Sequence, residues 1–174
     1  MELQVGVKAI ARNKEGKYLL LRRSAKNYPG ARGVWDWDIV GGRIDAGISL
    51  RENLIREIRE ETGLIFNGPM KLLAAQDIFP DEKDRHVVRL TYMIELDGEP
   101  KLDLKEHEEF AWVAPEELKT WEGLDFYVRE LVEEGVFASK YGMAWGMKRQ
   151  GSHHINRWIQ IKDAKIIKCL KTPT

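Results

Sequence analysis

The chain has 174 residues, a length that suits one compact domain. Apolar residues make up 43% and charged residues 32%, the mix of a folded globular protein and not of a disordered one. Basic and acidic side chains balance at 28 each, so net charge points to no nucleic-acid or membrane partner; the longest apolar runs, such as YLLL at 18–21, fall far short of the roughly 20 residues of a spanning helix.

The first predicted element is a β-hairpin. LQVGVKAIA at 3–11 alternates with period two, KYLLLRR at 17–23 is a second apolar run, and RNKEG between them supplies the turn. WDIV at 37–40 reads as a short strand stopped by Gly41-Gly42. A helix follows over 49–62: Ser49 and Glu52 have capping-box spacing, and Gly63 suits the residue after its end. KLLAAQDIF at 71–79 and HVVRLTYMIEL at 86–96 form an antiparallel pair around the polar loop PDEKDR. EFAWV at 109–113 is a last strand, with a short turn at 115–118 and a helix at 123–134 whose Leu124, Val128, Leu131 and Val132 make one stripe. Strands flanking helices predict an α/β sandwich with a mixed sheet.

The chemistry concentrates in residues 41–66, GGRIDAGISLRENLIREIREETGLIF. Leu50, Leu54 and Ile58 recur every four residues as the expected buried stripe. Glu57, Glu60 and Glu61 occupy neighbouring positions, expected on the face away from it. Three carboxylates so close repel one another, and a divalent cation turns that repulsion into attraction. Oxygen donors with no Cys or His nearby suit Mg²⁺ or Mn²⁺ better than zinc. Such a metal would hold a pyrophosphate and activate a water for attack. A Glu- and Arg-rich helix face is, by itself, most often a solvated surface.

The wider pattern decides otherwise. The segment resembles the Nudix box, G-x5-E-x7-R-E-U-x-E-E-x-G-U with U apolar. Gly42, Arg56, Glu57, Ile58, Glu60, Glu61, Gly63 and Leu64 fill eight of its nine fixed positions. WDIVGGRID before the box and EHEEFAWVAPEEL after the sheet are also similar to that family, over about residues 3–137. The resemblance implies a Nudix-type α/β/α sandwich with a mixed β-sheet, and the shift to a basic composition near Ser139 sets the domain at 1–139. It implies metal-dependent hydrolysis of a nucleoside diphosphate linked to a group X, with a free (d)NTP or a nucleotide sugar as the expected substrate.

Carried over by position, Glu57, Glu60 and Glu61 hold Mg²⁺, with Mn²⁺ as a substitute, and the Gly42 carbonyl completes the shell. Arg56 orients Glu57. A further acid from beyond the box is expected as ligand or general base, and among Glu106, Glu108 and Glu109 the choice is Glu106. Arg22 and Arg23 at a strand end are candidates for substrate phosphates. Among Tyr28, Trp35, Trp37 and Phe79 near the expected mouth, Trp37 and Phe79 are the candidates to stack on a base, although core packing is the commoner role of any one aromatic. His86 and His107 have no metal spacing and read as surface or pocket-rim residues.

One position departs: Ile48 stands where the box has its first glutamate. That predicts reduced activity, or alternatively a domain that binds nucleotides or ADP-ribose without cleaving them.

Residues 140–174 carry eight basic side chains against one acid, Asp163. This extension of unassigned role has three readings: a basic arm reaching RNA or a second subunit, an element packed on the sheet edge, or vector-derived sequence, since GSHH resembles part of a tag. The RNA reading would make the substrate an RNA 5′ end. A homodimer is a further expected partner. The lone Cys169 and the lack of a basic-then-apolar leader predict a cytoplasmic protein with a small-molecule nucleotide substrate and no membrane partner.

Overall fold

The computed structural model describes residues 2–30, 33–79 and 84–137. The expectations for residues 140–174 lie outside these, as does most of the loop at 80–85.

Six strands form one mixed sheet: β1 (Glu2–Arg12), β2 (Tyr18–Arg23), β3 (Trp37–Asp38), β4 (Lys71–Ile78), β5 (Arg85–Glu95) and β6 (His107–Val113). Its order is β3-β2-β1-β5-β4, with β6 also paired to β2. The predicted hairpin exists, but β1 and β2 pair only at Arg12 and Tyr18. β1 instead runs parallel to β5 from Glu2–Arg85 to Arg12–Glu95. β4 and β5 pair antiparallel, as their flanking pattern predicts.

Alternation along the central strands builds two cores. Val7, Ala9 and Ala11 of β1, with Leu19 and Leu21 of β2, face Leu54 and Ile58 of helix α1 (Leu50–Thr62). Ile10 and Leu20 point the other way, onto Leu118, Leu124, Val128 and Leu131 around helix α2 (Phe126–Glu133). A sheet apolar on both faces needs a cover on each, which gives the α/β/α sandwich expected from the sequence.

Helix α1 starts and stops where its caps dictate. The Ser49 side chain accepts from the Glu52 N–H, Glu52 accepts in return from Ser49, and Gly63 takes the left-handed conformation with its N–H on Arg59 O. Helix α2 is shorter than predicted. It begins after Asp125, whose carboxylate accepts from the Tyr127 and Val128 N–H groups. Among the described residues no helix is long and apolar enough to cross a membrane.

Candidate active site

A cleft of about 980 Å³ opens at the ends of β1 and β5, between the Gly41–Ala46 loop, α1, the start of β6 and the N-terminus of α2. Its construction begins at the glycine pair. Gly41 has φ of 124°, and a Cβ there would lie 2.2 Å from the Val7 carbonyl oxygen. Only glycine fits so close a backbone crossing. The Gly41 N–H donates to Glu61 Oε2 at 2.8 Å. At Gly42 an added Cβ would sit 2.6 Å from Glu57 Oε2, so the missing side chain makes room for that carboxylate. The Gly42 carbonyl accepts from the Val7 N–H at 2.9 Å.

The box glutamates do not share one face. Glu57 and Glu61 are 9% and 5% exposed, and both line the cleft. Consecutive helical residues are about 100° apart, so the row Asn53–Glu57–Glu61 runs beside Leu54 and Ile58, toward the sheet. This corrects the expectation that all three lie opposite the apolar stripe. Glu60 alone does so: it is exposed, bonds Arg56 Nη1 at 3.0 Å and lies outside the cleft lining.

Arg56 binds the acids together. Its guanidinium reaches Glu57 Oε1 at 2.8 Å, Asp45 Oδ2 at 3.3 Å, the Arg43 carbonyl at 3.1 Å and Asn53 Oδ1 at 3.2 Å. Burial pushes the Glu57 carboxyl above its usual pKa, and the charge of Glu61 adds to that; Arg56 and Lys8 only partly oppose it. Ile48 is 43% exposed and lies outside the lining.

Beyond the box, Glu106 reaches the same place from the turn before β6. One oxygen each of Glu61 and Glu106 and a ring nitrogen of His107 lie within 4.8 Å of one another. His107 is 6% exposed, with Nε2 3.2 Å from Glu61 Oε1. The expectation of a surface or rim histidine is thereby corrected: β6 directs this ring inward against α1.

The opposite side of the cleft is a closed set of ion pairs. Arg89 Nη2 and Nη1 reach Asp38 Oδ1 and Asp125 Oδ1, each at 3.2 Å. Arg23 Nη2 reaches Asp38 Oδ2 at 2.8 Å and Asp125 Oδ2 at 3.2 Å. Lys8 Nζ joins at Asp38 Oδ2, 2.9 Å away. Burial raises the Asp38 pKa, but Lys8, Arg89 and Arg23 more than reverse this and hold it well below the usual carboxylate range. Sequence reasoning missed Lys8, Asp38, Arg89 and Asp125. The available signal was a lone charge inside an apolar strand, Lys8 in VGVKAIA and Arg89 in HVVRLTY.

Of the four side chains expected to touch substrate, Arg23 lines the cleft. Arg22, the neighbour on the strand, points to the other face and pairs with Asp36 at 3.0 Å and Glu109 at 2.9 Å. Trp37 is 8% exposed and packs edge-on against Trp121 in the α2-side core, so its ring is not free to stack on a base. Phe79 is exposed and stacks on His86 with centroids 4.5 Å apart, beside Ile78 and Val87 of the lining.

The comparisons agree with this geometry. A family model described as the NUDIX domain matches residues 2–134. An ADP-ribose pyrophosphatase from Methanocaldococcus jannaschii is 34% identical over 101 residues, 56% of this chain and 56% of its own length. The match thus spans only about half of that relative. A CTP pyrophosphohydrolase from Escherichia coli K12 is 29% identical over 60% of this chain and 71% of its own. The crystal structure of a MutT protein from Methanosarcina mazei Go1 superposes with a TM-score of 0.63 at 29% identity, covering 76% of this chain and 91% of that one. With eight box positions filled, the two-sided sandwich built and the family model matched across most of its length, the chain belongs to the Nudix family.

Proposed function

We propose that this protein is a divalent-metal-dependent pyrophosphohydrolase acting on a small nucleotide, a nucleoside diphosphate linked to a group X. The observation that carries this reading is the convergence of Glu57, Glu61 and Glu106 on one cleft whose other side is rich in Lys and Arg.

The carboxylates fit a hard cation. Burial raises the pKa of Glu57 and the charge of Glu61 adds to it, an arrangement that a bound positive charge would relieve. Glu57, Glu61 and Glu106 would hold the ion, Mg²⁺ or Mn²⁺, with the Gly42 carbonyl as a further oxygen. Bound there, it would neutralise pyrophosphate charge and lower the pKa of a water.

The chain's own residues supply the rest. Arg56 fixes the Glu57 carboxylate, and the Gly41 N–H fixes one oxygen of Glu61. Glu106, the most exposed acid of the group, is the candidate to accept a proton from the attacking water. Lys8, Arg23 and Arg89 give the facing side a surplus of one positive charge over Asp38 and Asp125, which favours an anionic substrate. The two relatives named for ADP-ribose and CTP support a nucleotide with a cleavable phosphoanhydride, and do not distinguish a free triphosphate from a nucleotide sugar.

A second reading, a nucleotide-binding domain without turnover, rests on Ile48. Phosphate release over a panel of (d)NTPs, ADP-ribose and nucleotide sugars with Mg²⁺ or Mn²⁺ separates the two. Turnover that disappears with chelator supports the enzyme. Measurable binding with no turnover for any substrate supports the binding domain.

A further inference from the structure

The notable atom in the carboxylate cluster is a nitrogen. His107 is 94% buried by its 6% exposure, and neither ring nitrogen has a hydrogen-bond partner. Nε2 is 3.2 Å from Glu61 Oε1 but not aligned for a hydrogen bond with it. A buried imidazole without a partner is an unstable arrangement unless something else uses its lone pair. Here the ring faces two carboxylates, and the three ligand atoms lie within 4.8 Å of one another. Ligands on opposite sides of an ion with bonds of about 2.1 Å stand about 4.2 Å apart, so small side-chain shifts bring these three onto one centre.

We infer that Glu61, Glu106 and His107 form a mixed nitrogen–oxygen site that takes a first-row transition-metal dication in preference to Mg²⁺. Carboxylates alone serve Mg²⁺ and Mn²⁺ alike, whereas imidazole favours Mn²⁺, Co²⁺, Ni²⁺ and Zn²⁺ in rising order up to nickel. Mg²⁺ keeps its waters and gains little from a nitrogen donor. Glu61 is shared between this site and the Glu57 side of the cleft, so His107 tunes which ion the cluster prefers. This inference rests on the metal-dependent reading above.

The test is pulsed electron paramagnetic resonance of the full chain loaded with Mn²⁺. The sequence has four histidines. In a His86→Ala/His153→Ala/His154→Ala variant, His107 is the sole imidazole and is itself unaltered. Histidine labelled with ¹⁵N should change the nitrogen modulation of the Mn²⁺ signal, which assigns the ligand without disturbing it. Isothermal titration should find that His107→Gln reduces the Mn²⁺-over-Mg²⁺ affinity ratio by about tenfold or more. Mn²⁺ bound with hydrolysis intact, but with no histidine modulation, overturns this inference and leaves the proposed function standing. No Mn²⁺ bound at all overturns both.

Discussion

The two sides of the cleft hold charge in opposite ways. On one side, Asp38 and Asp125 each meet both Arg23 and Arg89, and every carboxylate oxygen of the pair has a cation within 3.2 Å. On the other, Glu57 shares Arg56 with Asp45 and Glu60, and Glu61 has a backbone N–H but no Lys or Arg partner among the described residues. The first side is paired throughout and ties β2, β3, β5 and the cap of α2 together, while its surplus of one positive charge faces the cleft. The second is incomplete, and on the function proposed above it is the chemical side, because an acid cluster short of positive charge suits a cation. Lys8 stands between them, bonded to Asp38 while its charge lowers the pKa of Glu57.

If that contrast holds, mutations on the two sides should fail in different assays. The largest effect is expected from Glu61→Gln, which keeps shape and removes charge. Hydrolysis should fall about a thousandfold, equivalent to about 4 kcal/mol of transition-state stabilisation, with the melting temperature in metal-free buffer unchanged or raised. Steady-state rates and calorimetry on the same preparation check both halves.

Asp38→Asn should do the reverse. Removing one partner of a buried ion network costs about 3–5 kcal/mol, read by urea unfolding. Its pH dependence has a definite sign. The folded pKa of Asp38 is depressed, so its stabilisation is fully present above the ordinary aspartate value of about 4 and is lost as pH falls through the lower folded value. The stability gap between wild type and Asp38→Asn should therefore be constant from pH 7 to about 5 and shrink below about 4.

Gly42→Ala sharpens the comparison at atomic scale. The added methyl would overlap the Glu57 carboxylate, so activity should drop about tenfold, while the flexible glutamate absorbs the clash at little cost in stability. The smallest effect is expected from Ile48→Glu. Its half-exposed side chain lies away from the cleft, so stability should stay within about 0.5 kcal/mol and kcat/KM within about threefold, or rise.

The same contrast explains what the sequence discloses. The acid side is legible because its glycine bend, helix caps and glutamates fall within residues 41–63, where helical spacing alone sets their neighbours. Which glutamates are buried was not legible, because that depends on the sheet the helix meets: Glu57 and Glu61 turn toward β1, and Glu60 turns to solvent. Glu106 and His107 arrive through β6, paired with β2 far back in the chain. The ion-pair side draws on five separate segments. Its Asp38 and Arg89 are 51 residues apart and meet only because β1 pairs parallel with β5, a register that local periodicity does not encode. Trp37 was misassigned for a related reason, since an aromatic beside a glycine loop reads the same whether it faces a pocket or the core.

The account turns on whether the acid side binds a cation, and anomalous diffraction from crystals soaked in Mn²⁺ tests that most directly. The predicted result is one or more manganese peaks bonded to carboxylate oxygens of Glu57, Glu61 and Glu106, absent from crystals of Glu61→Gln. Manganese found only elsewhere on the surface, with Glu57 paired to Arg56 and Glu61 to the Gly41 N–H, would contradict it.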